Sequence, residues 1–223
     1  MKALFNDIFH ELMFILKGKT LDILIPTLSF YISYQWVSLN VALLIGFIFA
    51  LGLTLYRILK KEKALYALYG LFGVLLASLL AYINQSAEDY FLPDLMGNLA
   101  LVTFALLSLI FKRPLAAYAS HLMRGWPLPW FWRDDVKPAY QEVTYLWLAF
   151  LSLRAIVETV VYLQGDLDRL LIITTLFGIP FFIGILIMSY TYGLWRLNRL
   201  NGPSVDEFIE GKEPPFKGQK KGF

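Results

Sequence analysis

Gln141 to Gln164 reads QEVTYLWLAFLSLRAIVETVVYLQ, an apolar run of membrane-spanning length with two charges set into its middle. Arg154 lies near the centre, and Glu158 follows one helical turn later. A charge at the bilayer midplane costs about 2.5–3.5 kcal/mol on insertion scales, so such side chains face a protein interior or a water-filled cavity. Helical spacing gathers Tyr140, Thr144, Trp147, Arg154, Glu158 and Tyr162 into roughly one quadrant of this helix, and that face is expected to point inward.

Two readings of the stripe follow. In one, Arg154 and Glu158 form a buried ion pair that fixes the rotation of the helix. In the other, the same face is a polar path for an ion, a proton or a small anionic group. Arginine preceding glutamate at this spacing is the less favourable order for an intrahelical pair. At least one of the two is therefore expected to find a partner elsewhere, such as Asn98, Asp22 or a carbonyl freed by a proline.

Composition sets the class. With 58% hydrophobic and 17% aromatic residues, and several apolar runs long enough to cross about 30 Å of hydrocarbon, the chain reads as an all-α polytopic membrane protein. A soluble enzyme is excluded on that ground, and the 223 residues accommodate six spans with short connections. The net charge of +3 is carried by basic residues between apolar runs, which act as topology signals and do not form a nucleic-acid-binding face. There is no cysteine, so disulfides, thiolate metal sites and cysteine nucleophiles are excluded. No basic leader with an apolar core and a small-residue cleavage site opens the chain, so no removable signal is expected.

Residues 1–20 place Phe5, Ile8, Phe9, Leu12, Ile15 and Leu16 at helical spacing, which suits an amphipathic helix in the membrane interface or under the bundle. Six spans are then expected within residues 21–200: Asp22 to Trp36, Val37 to Leu59, Ala64 to Ile83, Leu92 to Phe111, the opening stretch, and Leu170 to Trp195. They form three hairpins. Pro26 shortens or kinks the first span, and Gly178 and Pro180 lie inside the last. Residues 201–223 turn to Gly, Pro, Lys and Glu without apolar periodicity and read as a flexible cytoplasmic tail or a partner-binding peptide.

Of the 20 Lys and Arg residues, all but Arg154 and Arg169 fall at the N-terminus, in the second-to-third and fourth-to-fifth connections, or in the tail. The positive-inside rule puts both termini in the cytoplasm. The other side presents short acidic turns, one carrying Glu88, Asp89 and Asp94, another Asp166 and Asp168. Those carboxylates could hold a cation at an outer mouth, although solvation explains an exposed turn more simply. On the cytoplasmic side Lys112, Arg113, Trp132 and Arg133 read as an interfacial belt. Asp134 and Asp135 could hold magnesium against a lipid phosphate, or cap the helix that follows. His10 and His121 are far apart in sequence, and no HExxH, P-loop, GxSxG or Rossmann fingerprint is present. No catalytic residue, metal ligand or cofactor is assigned.

The segments AEDYFLPDLMGNLA (87–100), FKRPL (111–115), WFWRDD (130–135) and TYLWLAFLSLR (144–154), with Gly178 and Pro180, resemble an uncharacterised bacterial integral-membrane family known mainly as a domain of unknown function. The resemblance runs from about Leu21 to Trp195. Glu88, Asp89, Lys112, Arg113, Pro114, Trp132, Arg133 and Arg154 coincide with its pattern. More distantly, the layout resembles the intracellular septation protein A family. The resemblance implies a six-span protein of the bacterial inner membrane and carries no catalytic residues with it.

The expected function is a small channel or transporter-like protein for an ion or small solute. Its partners are membrane lipids, with a second copy or another membrane protein as further candidates. The alternatives are a scaffold or regulator of envelope or division machinery and, last, a lipid-modifying enzyme using Arg113, Arg133, Asp134 and Asp135.

Overall fold

The computed structural model describes residues 20–60 and 64–223. The amphipathic helix expected over residues 1–20 lies outside them, as do Lys61 and Lys63 of the first basic loop. The chain is all-helical, with no strand among the described residues. Its helices are α1 (Thr20–Tyr34), α2 (Leu39–Leu59), α3 (Ala64–Asn84), α4 (Leu92–Ile110), α5 (Leu115–Arg124), α6 (Leu128–Phe131), α7 (Lys137–Gln164), α8 (Leu167–Leu176), α9 (Ile179–Leu200) and α10 (Val205–Ile209). A 3-10 turn, Glu88–Phe91, leads into α4.

Four segments are long and apolar enough to cross a membrane: Leu39–Leu59, Glu88–Ile110, Lys137–Gln164 and Leu167–Leu200. The expectation was six. Helix α1 has 15 residues, about 22 Å at 1.5 Å per residue, which is short of a hydrocarbon core of about 30 Å. In α3 the apolar helix within the described residues, Leu68–Asn84, also falls short. Helix α7, with 28 residues, is about 42 Å long and so must tilt or project beyond the hydrocarbon. The last apolar run is one span in the sequence but two helices in space, because the backbone breaks at Gly178 and Pro180 occupies the first turn of α9.

The chain divides into two compact units. The first holds Met1–Met96 and Glu158–Thr174, the second Gly97–Val157 and Thr175–Phe223. Unit 1 has a small apolar core in which Phe30 of α1, Ala42 and Leu43 of α2, Ala77 and Ala81 of α3, and Val161 of α7 are buried. Gly46 is what lets α1 and α2 approach. A Cβ there would sit 3.1 Å from the Phe30 Cβ and 3.3 Å from the Pro26 carbonyl oxygen. Phe30 in turn stacks on Tyr90 of the 3-10 turn, with ring centroids 4.2 Å apart.

Unit 2 is organised by aromatic residues. Trp130, Phe131 and Tyr140 are fully buried and meet edge to face, Phe131 and Tyr140 at 4.9 Å between centroids. The connection between the fourth and fifth expected spans is thus helical at its start, in α5, and tightly packed. Residues 201–223, expected to be a flexible extension, hold a defined path in the same unit. The Ser204 hydroxyl accepts from the Glu207 backbone N–H while the Glu207 carboxylate accepts from the Ser204 N–H, a reciprocal capping box that starts α10. The Trp130 indole N–H donates to the Pro203 carbonyl at 3.0 Å, and the Phe223 ring lies 4.3 Å from that of Tyr140, within 8° of parallel. Composition alone misses this order because it comes from specific caps and one aromatic ring, with no apolar periodicity to mark it.

Candidate functional site

The inward face expected of α7 is largely buried, and its residues fall in both units. In unit 2, Tyr140 and Thr144 are fully buried. The Thr144 hydroxyl donates to the Tyr140 carbonyl at 2.7 Å and accepts the Ala116 N–H, from the first turn of α5, at 3.1 Å. Thr144 therefore fixes where α5 departs, satisfying one of the N–H groups that a helix start leaves without an intrahelical partner. One turn on, the Trp147 indole donates to the Ser189 hydroxyl of α9 at 2.7 Å, and Ser189 donates to the Ile185 carbonyl. Asn98 of α4 is 3% exposed and donates to the Leu151 carbonyl at 3.3 Å. Arg154 is half-buried.

The other end of the stripe belongs to unit 1. Glu158 is 1% exposed, and Tyr162 follows it at the i+4 position on the same helix. The Tyr162 hydroxyl donates to Asp89, which also accepts from the Asn84 amide. Asp89 is only 5% exposed. Solvation, the simpler explanation for the acidic turn, thus does not describe Asp89. Glu88 is half-buried and accepts from Ser86 at 2.8 Å, whereas Asp94 is exposed. In the other acidic turn Asp166 accepts the Arg169 N–H at 3.0 Å and starts α8, while Asp168 accepts from Tyr31 of α1 at 2.9 Å.

The residues expected in an interfacial belt are also sorted by the structure. Arg113 and Trp132 meet, the guanidinium 4.3 Å from the indole centroid. Arg133 forms a fork on Asp135, with contacts of 2.7 and 2.8 Å that take up both carboxylate oxygens. Asp135 is thus bound to its neighbour, not to the helix start that the capping alternative gave it. Lys112 and Asp134 are exposed. Among the described residues no group of three His, Asp or Glu side chains is placed to hold a metal ion.

A family model described as a protein of unknown function, DUF3159, matches residues 19–197. The chain belongs to this family. No curated protein and no solved structure matches it. The DUF3159 match covers α1 to most of α9, and so takes in every site residue named above.

Three features escaped the sequence reading. Ser189 carried no signal, since a lone serine in an apolar run is common. Glu142 accepts from Tyr192 at 2.7 Å and from Arg196 at 2.8 Å. The i, i+4 spacing of Tyr192 and Arg196 shows that they share a face, but their acidic partner is far away in sequence. The third was legible. Ser204 to Glu207 reads S-V-D-E, the capping-box pattern.

Proposed function

We propose that this DUF3159 protein is a transporter-like membrane protein that passes a proton or small cation through a polar interior, with Glu158 and Asp89 as the carboxylates along the path. The reading places six spans in three hairpins, with the short α1 and α3 as the marginal pair, in the bacterial inner membrane. The distribution of basic residues supports cytoplasmic termini.

The observation that carries it is the burial of Glu158, 1% exposed on a helix of membrane length, one turn from the tyrosine that hydrogen-bonds buried Asp89. A carboxylate in that setting is costly unless neighbours compensate, and intramembrane carboxylates are characteristic of ion and proton pathways. Tyr162 both donates and accepts, so it can relay a proton to Asp89 by rotating one hydroxyl.

Proteoliposomes loaded with a pH-sensitive dye test this. Wild type should relax an imposed proton or cation gradient faster than empty vesicles, and Glu158→Gln and Asp89→Asn should abolish the difference while still unfolding in one cooperative transition above the assay temperature. No flux in wild type, or unchanged flux in both variants, overturns the reading.

The scaffold reading keeps one supporting observation: the packed unit formed by residues 115–139 with the tail, which offers a defined surface to a partner. Removing residues 201–223 should then release co-purifying protein. The lipid-enzyme reading is weakened by the Arg133–Asp135 fork, which commits two of its four proposed phosphate- and metal-binding groups to one another.

A further inference from the structure

The corner between α4 and α5 is built with unusual care for a helix end. The Lys112 N–H donates to the Leu109 carbonyl at 3.0 Å and the Arg113 N–H to the Ser108 carbonyl at 2.8 Å, the paired bonds of a Schellman termination. Lys112 sits at the left-handed position, φ 54°, where glycine is the least costly residue. Pro114 follows, and the Ser108 hydroxyl accepts the Leu115 N–H at 3.0 Å. With Thr144 holding Ala116, the exit direction of α5 is set at two successive amides.

Helix α5 has its polarity inverted relative to a soluble surface helix. Its small residues Ala116, Ala117 and Ser120 are buried, while Tyr118, Leu122 and Met123 are 38%, 82% and 64% exposed. Leu115, Tyr118 and Leu122 recur at i, i+3 and i+7, so the outward stripe is apolar. It continues from the end of the membrane-length helix before it, where Ile110 and the following Phe111 are 63% and 71% exposed. Between the two apolar surfaces stand the exposed cations Lys112 and Arg113, with Arg113 lying over the Trp132 indole.

We propose that α5 lies in the membrane–water interface and that Lys112, Arg113 and Trp132 form a docking surface for the phosphate headgroups of anionic phospholipids. The continuity with α4 places the apolar stripe at the depth where a spanning helix leaves the hydrocarbon. An indole beneath a guanidinium is suited to that boundary, since the ring takes the apolar side and the cation the phosphate side. A lysine at a position that favours glycine carries a conformational cost, which its charge offsets at a phosphate surface. None of this depends on transport.

The absence of cysteine allows a single thiol to be introduced and labelled without background. Full-length Leu122→Cys carrying an environment-sensitive dye, in nanodiscs, should emit like a probe in hydrocarbon and be quenched by shallow nitroxide lipids but not by iodide. Asp134→Cys serves as the aqueous control. Lys112→Gly and Lys112→Gly/Arg113→Gln should keep the wild-type melting temperature or raise it. In mixed phosphatidylglycerol and phosphatidylcholine discs the double variant should lose anionic-lipid enrichment, seen by native mass spectrometry, by roughly thirtyfold. Iodide quenching at Leu122→Cys equal to the control overturns the proposal. So does burial of the label without nitroxide quenching, since a second copy or another protein would then cover the face. Unchanged lipid enrichment in the double variant removes the headgroup site.

Discussion

Tyr162 of α7 donates its hydroxyl to Asp89, a carboxylate buried in the 3-10 turn ahead of α4 and 73 residues away in sequence. The same carboxylate accepts from Asn84, so each of its oxygens has a donor. Removing one donor should expose the asymmetry of buried hydrogen bonds, in which leaving a group unsatisfied costs more than the bond itself contributes. Tyr162→Phe is expected to destabilise unit 1 by about 1–3 kcal/mol, read from thermal denaturation in detergent. Asp89→Asn should cost less, because the amide oxygen still accepts from Tyr162. Equal losses would mean that the pair is not ordered as described.

Glu207 offers a pH test outside the apolar helices. Its carboxylate accepts the backbone N–H groups of Lys217 at 2.8 Å, Ser204 at 2.9 Å and Gly218 at 3.2 Å. Those donors, Lys217 and Ser204 foremost, hold its pKa down at about 2 against an ordinary 4.5. The sign follows from the depressed folded value: the contribution to tail docking is complete above 4.5 and is lost as the pH falls through 2. The protection of the Lys217 and Gly218 amides, measured as exchange relative to the intrinsic rate at each pH, should therefore fall as acid is added through that window. Glu207→Ala should show low protection already at neutral pH, with no further fall on acidification. High, pH-independent protection in that variant would mean that the tail is held by its other contacts, such as the Phe223 ring on Tyr140 and the Trp130 indole on Pro203.

What the sequence made legible was what repeats with the helical period. The apolar runs of α2, α4 and α7, the charged pair in α7 and the basic loops needed only spacing and charge to be found. The polar contacts did not follow from spacing, because each joins residues distant in sequence: Asp89 with Tyr162, Trp147 with Ser189, Glu142 with Arg196. Residues 201–223 failed for a different reason. Their composition is that of a linker, yet Gly202 is required where it stands, since a Cβ there would lie 2.6 Å from the Asp135 carbonyl oxygen. A glycine chosen for close approach and a glycine chosen for flexibility look the same in a sequence.

Gly46 separates those two roles within α2. A leucine at Gly46 would meet Phe30 and Pro26 of α1 at close to the distance limit for carbon, whereas Gly52 on the same helix has nothing within 4 Å. Gly46→Leu should destabilise unit 1 by about 1–3 kcal/mol through overpacking. Gly52→Leu should be neutral or mildly stabilising, as leucine is the better helix former. Melting temperatures of the two variants side by side decide the matter. A loss at Gly52 as large as that at Gly46 would show that α2 does not approach α1 through this one glycine.

Glu142 and Arg196 bind α7 to α9 within unit 2, with guanidinium to carboxylate distances of 2.8 and 3.0 Å and a third contact from the Tyr192 hydroxyl. Roughly a third of each charged side chain is exposed, 33% for Glu142 and 29% for Arg196, so water screens the pair and its coupling should be modest. A double-mutant cycle with Glu142→Gln and Arg196→Gln is expected to give about 0.5–1 kcal/mol, falling as salt is raised. Tyr192→Phe should cost a similar amount without salt dependence, since it removes a neutral donor. A coupling of several kcal/mol that ignores salt would mean that the pair is shut away from solvent, with lipid or a second copy covering this face of the unit.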